Sequence, residues 1–190
     1  MMAFEDMVRL AEAMVFASAT PVSERALTQL LPDGAEVEAV LEALRTRYAG
    51  RGVELVTVAG GWQFRTAEDL APKLKRVVQV PRRLARAAME TLAIIAYHQP
   101  VTRSEVEEIR GASLAQTTLD QLLEAGLVTP RGRRETPGRP TLWATTPAFL
   151  VQFGLRELRE LPRREELLVE PPAVVSEGDA VGSSLDITET

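Results

Sequence analysis

Few side chains in this 190-residue chain have the chemistry that a catalytic site needs. There are no cysteines and His98 is the only histidine, so the chain lacks thiolate nucleophiles and the usual nitrogen and sulfur metal ligands. Carboxylates pair at Glu107-Glu108 and Glu165-Glu166, but sequence neighbours diverge around a helix and do not converge on one substrate. His98 is predicted at a helix C-terminus, where the helix dipole favours a cation. We expect no enzyme, no cofactor and no metal site.

Ionic binding is the second kind of chemistry that the sequence supports, and it is concentrated in one loop. Four arginines surround a single acid, Glu135, in this loop: Arg131, Arg133, Arg134 and Arg139. Guanidinium groups bind the phosphates of DNA, and they also bind the carboxylates of a protein partner. The loop therefore predicts a surface for an acidic ligand and leaves both nucleic acid and protein open as its occupant.

The segment Pro137-Gly138-Arg139-Pro140 lies inside this arginine-rich loop. Its two prolines fix φ on either side of the glycine and restrict the backbone. A rigid loop apex is one interpretation. The other is a preorganised binding loop that holds Arg139 outward for a partner.

The elements that carry this loop follow an order that occurs twice, about 79 residues apart. Ala19-Thr20-Pro21-Val22-Ser23 matches His98-Gln99-Pro100-Val101-Thr102, and each segment ends on a hydroxyl residue suited to N-cap the next helix. Glu105 follows Thr102 by three positions and completes a capping box. In both halves three predicted helices precede two short strands, which is the order of a winged helix.

The strands and closing helices have recognisable sequence patterns in both halves. Alternating runs at residues 53–58 and 62–66, joined through Gly60-Gly61, predict one hairpin, and residues 127–130 and 141–145 predict the other. A closing helix is expected in each half, capped by Thr66 in the first and by Thr146 in the second.

The expected fold class is α+β and mainly helical, with two tandem winged-helix domains and a disordered acidic C-terminal tail. The predicted boundaries are an N-terminal domain at 1–75, a linker at 76–84, a C-terminal domain at 85–162 and the tail at 163–190.

Charge argues against direct reading of DNA sequence. The net charge is −5, although residues 76–161 carry +3. The third helix of the second half has no lysine or arginine between Ser113 and Ala125, whereas helices that enter a major groove usually bring positive charge to the phosphates. A winged-helix DNA-binding transcriptional regulator is kept as the alternative function, because the middle segment is positive and its loop is rich in arginine.

No segment of the sequence is suited to a membrane. The longest apolar run is about Leu92 to Tyr97, far below the ~20 residues of a membrane helix. The N-terminus has Glu5 and Asp6 where a signal peptide is positive. We expect a cytoplasmic protein with no membrane partner.

The second half also contains a set of distinctive motifs. They are Glu90-Thr91-Leu92-Ala93-Ile94-Ile95-Ala96-Tyr97-His98-Gln99-Pro100-Val101-Thr102, Glu107-Glu108-Ile109-Arg110-Gly111, Leu122-Leu123-Glu124 to Leu127, Pro137-Gly138-Arg139-Pro140, Thr145-Thr146-Pro147 and Phe153-Gly154-Leu155. Together they resemble the ScpB family, segregation and condensation protein B of bacterial SMC condensin complexes. With the repeated element order, the resemblance covers roughly residues 4–162.

The resemblance implies a non-enzymatic subunit that homodimerises through its N-terminal winged helix and binds the kleisin ScpA through its C-terminal one. The SMC ATPase would be reached through the kleisin, and DNA would be contacted only indirectly or weakly. Such a subunit supports chromosome condensation and segregation at the nucleoid. The expected dimer interface is Phe4, Met7 and Leu10. The expected kleisin contacts are Arg131, Arg134, Pro137, Arg139, Phe149 and Phe153.

Overall fold

The structure is a computed structural model that describes residues 2–74 and 84–163. Residue 1 and residues 75–83 and 164–190 lie outside the described part. The predicted linker, apart from Leu84, and the predicted tail, apart from Arg163, are therefore not described.

The N-terminal half (residues 2–74) forms three helices and then a hairpin. Its elements are α1 (Phe4–Ala17), α2 (Glu24–Leu30), α3 (Val37–Tyr48), β1 (Val53–Val58), β2 (Gly61–Thr66) and the one-turn helix α4 (Ala71–Leu74). β1 and β2 pair antiparallel, with Val58 opposite Gly61. The turn residues are Ala59 and Gly60, and both have positive φ, 50° and 71°, as a two-residue type I′ turn requires. The predicted turn at Gly60-Gly61 is thus displaced by one residue.

The expected cap at Thr66 is wrong. Thr66 is the last residue of β2, whereas α4 begins at Ala71. Between them Ala67 is buried, and its N–H donates to the carbonyl of Gly52 at 3.1 Å. This contact keeps the chain beside the start of β1, so the helix begins only after a further turn.

Apolar faces of α1, α2, α3 and β1 form the core of the N-terminal half. Its fully buried members are Val8, Ala11, Val15, Val22, Leu27, Leu31, Val40, Leu41, Leu44 and Leu55. On α1 the buried face is Val8, Ala11 and Val15, whereas Met7 and Leu10 are only partly buried beside it. Ser23 caps α2 by accepting a hydrogen bond from the N–H of Ala26 at 3.2 Å.

The C-terminal half (residues 84–163) repeats the order with one additional strand. Its elements are α5 (Arg86–His98), β3 (Val101–Thr102), α6 (Arg103–Arg110), α7 (Gln116–Glu124), β4 (Val128–Arg133), β5 (Thr141–Thr145), α8 (Pro147–Phe153) and a 3-10 turn (Leu158–Glu160). The sheet order is β3-β5-β4. β4 extends beyond the predicted Pro130 because a register shift between Pro130 and Arg133 lets the two strands keep pairing.

The core of the C-terminal half lies between α5, α6, α7 and the sheet. Its members are Ala88, Leu92, Ile95, Ala96, Val101, Val106, Leu114, Leu119, Leu122, Leu127, Val128 and Phe149. No helix among the residues that the structure describes is long and apolar enough to cross a membrane.

Hydrogen bonds join the hairpin of the first half to the end of the second half. The N–H groups of Ala59 and Gly60 donate to the carbonyls of Leu155 and Arg156 at 2.9 and 3.2 Å, and Arg65 donates to a carbonyl of α8. The hairpin of the first half therefore meets the end of the second.

Candidate partner-binding surface

Gln99 connects the end of α5 to the sheet that carries the arginine-rich loop. Its Oε1 accepts hydrogen bonds from the N–H and Oγ1 of Thr145 at 2.8 and 3.0 Å, and its Nε2 donates to the carbonyl of Ala96 at 3.1 Å. Both ends of the amide are used. Gln99 thereby fixes where β3 starts relative to β5.

Thr102 and Glu105 form the predicted capping box at the start of α6. Thr102 Oγ1 accepts from the N–H of Glu105 at 3.4 Å, and Glu105 Oε2 accepts from the N–H of Thr102 at 2.8 Å. The prediction from the sequence is confirmed, and the box holds a carboxylate at a defined place next to the sheet.

Arg134 binds this same carboxylate from the loop. Its Nη1 lies 2.7 Å from Glu105 Oε1, and its Nη2 donates to Oε2 at 3.0 Å. The N–H of Thr102, and secondarily the Thr102 hydroxyl and Arg134, hold the pKa of Glu105 below its ordinary value of 4.5. The Arg134 guanidinium therefore forms an ion pair within the chain, and the sequence did not predict this contact.

The loop beyond Arg134 is closed at its base. The N–H of Arg134 donates to the carbonyl of Pro140 at 2.9 Å, and the N–H of Arg139 donates to the carbonyl of Thr136 at 2.8 Å. Arg139 has φ 41°, which a non-glycine residue adopts only when its surroundings impose it. The loop apex is therefore constrained, as the two prolines predicted.

Three arginines remain available at the surface, two at the end of β4 and one in the loop that follows it. Arg131, Arg133 and Arg139 are exposed, and within residues 2–74 and 84–163 none of them forms an ion pair. Pro137 is also exposed, at the loop apex. The loop therefore presents unneutralised positive charge on a fixed backbone.

The expected apolar pair on α8 divides into one core residue and one surface residue. Phe149 is 3% exposed and belongs to the core, whereas Phe153 is 41% exposed. The two rings lie against each other with centroids 4.8 Å apart. The expectation that Phe149 offers a surface is corrected, because this residue of the first turn of α8 is buried in the core of the C-terminal half.

A second polar network fixes the turn between α6 and α7. Glu107 Oε1 accepts from the N–H of Leu114 at 2.9 Å and from Arg103 Nε at 3.2 Å. Arg103 Nη1 also donates to Gln116 Oε1 at 2.9 Å. The N–H of Leu114, followed by Arg103, holds the pKa of Glu107 below its ordinary value. Its neighbour Glu108 is exposed.

Two aromatic side chains of α1 are exposed, and one of them, Phe16, is not among the residues predicted for the dimer interface. Phe4 is 49% exposed, and Phe16 is 82% exposed. Phe16 borders a shallow depression whose other walls are Arg9, Glu12, Ala13 and Tyr48. Phe16 was not among the residues predicted for the dimer interface. Its position next to Val15, outside the apolar face of α1, was the signal in the sequence that could have identified it as an exposed aromatic residue.

The Tyr48 hydroxyl donates to Glu12 Oε1 at 2.5 Å across this depression. That hydrogen bond, followed by burial, raises the pKa of Tyr48. Arg47 lies 2.8 Å from Glu5 and 3.7 Å from Glu12. The wall between α1 and α3 is therefore held by polar contacts.

The two halves define a mixed helical and stranded protein with a constrained basic loop and an exposed aromatic residue on its first helix. The family described as "Segregation and condensation complex subunit ScpB" matches residues 9–164. The chain belongs to this family.

Individual relatives agree with this assignment. "Segregation and condensation protein B" of Desulforamulus reducens is 43% identical over 172 residues, which cover 88% of this chain and 94% of that protein. A crystal structure of ScpB from Mycobacterium tuberculosis is 32% identical, covers 82% of this chain and 99% of that one, and has a TM-score of 0.37. A structure of a "dimer of ScpB N-terminal domain complexed with ScpA peptide" is 28% identical, covers 40% and 100% of the two chains, and also has a TM-score of 0.37.

Proposed function

We propose that this protein is a non-enzymatic subunit of a bacterial SMC condensin complex, which binds the kleisin ScpA and homodimerises. Family membership supports the assignment to the complex. The observation that carries the binding function is a surface of three exposed arginines without an ion pair in the described residues: Arg131 and Arg133 lie at the end of β4, and Arg139 lies in the constrained loop. Through the kleisin, the subunit reaches the SMC ATPase and acts in chromosome condensation and segregation at the nucleoid in the cytoplasm.

Each half is proposed to be one winged-helix domain, with boundaries at 1–75 and 85–162 around a linker at 76–84. Two separate apolar cores, one in each half, support this division. The proposed acidic tail at 163–190 follows the second domain and, apart from Arg163, lies outside the described residues.

The proposed kleisin surface runs from the loop arginines to the end of α8. Arg131, Arg139 and Pro137 supply charge and a rigid apex, and Phe153 supplies exposed apolar area. Arg134 supports this surface indirectly, since its ion pair with Glu105 fixes the loop on α6. A partner that combines acidic and apolar side chains fits these groups.

The proposed dimer surface lies on α1. Phe16 projects from the helix beside a depression on the same face, so two copies related by a twofold axis are able to place each Phe16 in the depression of the other. Phe4, Met7 and Leu10 extend the apolar surface toward the start of the helix. The N-terminal domain of a relative forms a dimer in complex with an ScpA peptide, and this supports the proposed self-association. The same complex makes it worth testing whether the first half also contributes to kleisin binding.

Light scattering after size exclusion, on this chain alone and mixed with the kleisin of the same genome, tests the proposal. A dimer that co-elutes with the kleisin is the expected result. A chain that never co-elutes with the kleisin contradicts the proposed partner, and a monomer at all concentrations contradicts the proposed dimer.

A DNA-binding regulator is the second candidate, because the unpaired loop arginines also suit phosphates. The two functions differ in salt dependence. Binding to phosphates weakens steeply as salt is raised, since counterions are released, whereas a partly apolar kleisin interface weakens little. Tight, sequence-selective DNA binding without kleisin binding would favour this alternative.

A further inference from the structure

The contact between the two halves uses backbone donors that the hairpin leaves free. Ala59 and Gly60 occupy the turn between β1 and β2, outside the pairs that join these strands. Their N–H groups donate to Leu155 and Arg156, directly after α8. Unpaired N–H groups at a hairpin turn normally face water, so this pairing fixes one half against the other.

Arg65 of β2 adds a charged contact at the same place. Its guanidinium donates to the carbonyl of Val151, in the last turn of α8. Carbonyls in the last helical turn carry the negative end of the helix dipole and are favourable partners for a cation.

Gly154 permits this approach. It has φ 72° and ends α8 in the left-handed conformation, and a Cβ built there would lie 2.9 Å from Arg65 Nη1. Glycine is therefore suited to this position both by its backbone conformation and by the space that Arg65 occupies.

We propose that Ala59, Gly60 and Arg65 form a latch on the end of α8, and that this latch competes with a partner that covers Phe153 together with the end of α8. Phe153 is the residue before Gly154 and is 41% exposed in the latched arrangement. A partner segment that covered Phe153 and the end of α8 would meet the Arg65 guanidinium. The latched state therefore lowers partner affinity, and partner binding opens the latch.

The contact has the character of a reversible switch. It consists of three hydrogen bonds, two from the backbone and one from a side chain. Polar contacts of this size between domains are typical of arrangements that open and close, because each hydrogen bond contributes only a few-fold to the equilibrium. Removal of the Arg65 guanidinium is expected to shift the latch equilibrium about tenfold toward the open state.

The arrangement is measurable in the full chain by electron spin resonance between two spin labels. Because the protein has no cysteine, labels at Glu38→Cys on α3 and Gln121→Cys on α7, both exposed positions, attach at these sites alone. The latch predicts one narrow distance distribution that broadens in Arg65→Ala and in Arg65→Gln. Arg25→Ala, which removes an exposed arginine of α2, is expected to leave it narrow.

Either of two results overturns the latch: a broad distribution without any substitution at Arg65, or a narrow one that persists in both Arg65 variants while thermal melts show them folded. Should one variant unfold, the other gives the answer. Arg65→Lys keeps the charge, and the width of its distance distribution is expected to lie between those of the unsubstituted chain and Arg65→Ala.

The competition with a partner rests on the proposed function and has its own measurement. With a fluorescent central segment of the kleisin, Arg65→Ala is expected to bind about fivefold tighter than the unsubstituted chain, and Arg25→Ala is expected to bind as tightly as the unsubstituted chain. Equal or weaker binding by Arg65→Ala would contradict competition. A chain that binds no kleisin in any variant refutes the proposed function, whereas the spin-label distances still decide on the latch.

Discussion

Arg134 and Glu105 are 29 residues apart in sequence and form a two-point ion pair, with Nη1 to Oε1 at 2.7 Å and Nη2 to Oε2 at 3.0 Å. The carboxylate of this pair also closes the capping box with Thr102. The Glu105 side chain therefore caps the start of α6 and also anchors the arginine-rich loop. Among the described arginines of that segment, Arg134 is the one that forms an ion pair within the chain.

Arg134→Ala is expected to lower the free energy of unfolding by about 1 kcal/mol, because a two-point ion pair at a partly exposed site contributes about this much. The matched control is Arg133→Ala, whose exposed guanidinium has no ion pair in the described residues and whose loss is expected to leave stability unchanged. Urea unfolding of both variants is the measurement. Equal midpoints for the two variants would show that the pair contributes nothing.

Charge reversal at the exposed arginines is expected to affect kleisin binding and leave the fold intact. Arg131→Glu with Arg139→Glu should weaken binding about tenfold or more, since attraction to an acidic partner becomes repulsion. Titration calorimetry with the kleisin measures the affinity, and Arg25→Glu on α2 is the control for net charge. Unchanged affinity in the double variant would remove the loop from the proposed interface.

The two phenylalanines of α8 are expected to respond in opposite ways. Phe149→Ala should destabilise the protein by about 3–5 kcal/mol, because it removes a buried ring from the core. Phe153→Ala should cost little stability and weaken kleisin binding instead. Thermal unfolding and calorimetry on both variants separate these effects, and a stable Phe149→Ala protein would argue against the burial of this ring.

Phe16→Ser is expected to weaken self-association by at least about tenfold, since a buried aromatic anchor commonly contributes this much to an interface. Phe4→Ser changes the same kind of side chain near the other end of α1 and should weaken it less. Sedimentation over a range of concentrations measures both. If Phe4→Ser separates the subunits while Phe16→Ser does not, the interface lies at the start of the helix.

Stability should fall in acid through Glu105 and Glu107. Both carboxyl groups have a pKa below the ordinary 4.5, so the folded state favours their charged forms. Their contribution is fully present above pH 4.5 and is lost as the pH falls through the lowered pKa of the folded state. Glu105→Gln keeps a capping side chain without the charge, and its urea midpoint should depend less on pH between about 3 and 6.

Local patterns predicted the caps in the C-terminal half and failed at Thr66, where a tertiary contact delays the helix, and they predicted the tertiary contacts poorly. The capping box at Thr102 and the cap at Thr146 depend on residues within one helical turn, and both are confirmed. β3 has only two residues, which is too short for an alternating pattern, and it exists because β5 lies beside it. The Arg134 pair was not predictable, since nothing in either segment identifies the other.

The sequence also did not predict which side chains of α8 and α1 are buried. Phe149 and Phe153 are four positions apart and share one side of α8, so periodicity assigns both to the same face. Only the packing of the first turn of α8 into the core of the C-terminal half decides that Phe149 is enclosed. On α1, likewise, the packing of α3 rotates the buried face to Val8, Ala11 and Val15.

The hydrogen bond between the N–H of Arg134 and the carbonyl of Pro140 separates the loop apex from the sheet that supports it. Residues 135–139 thus form a loop segment whose two ends are already held together by this hydrogen bond. Its length and composition are free to diverge without disturbing β4, β5 or the core, because no buried side chain belongs to it. Grafting another sequence between these anchors would test whether the proposed kleisin surface can be redirected to a different partner.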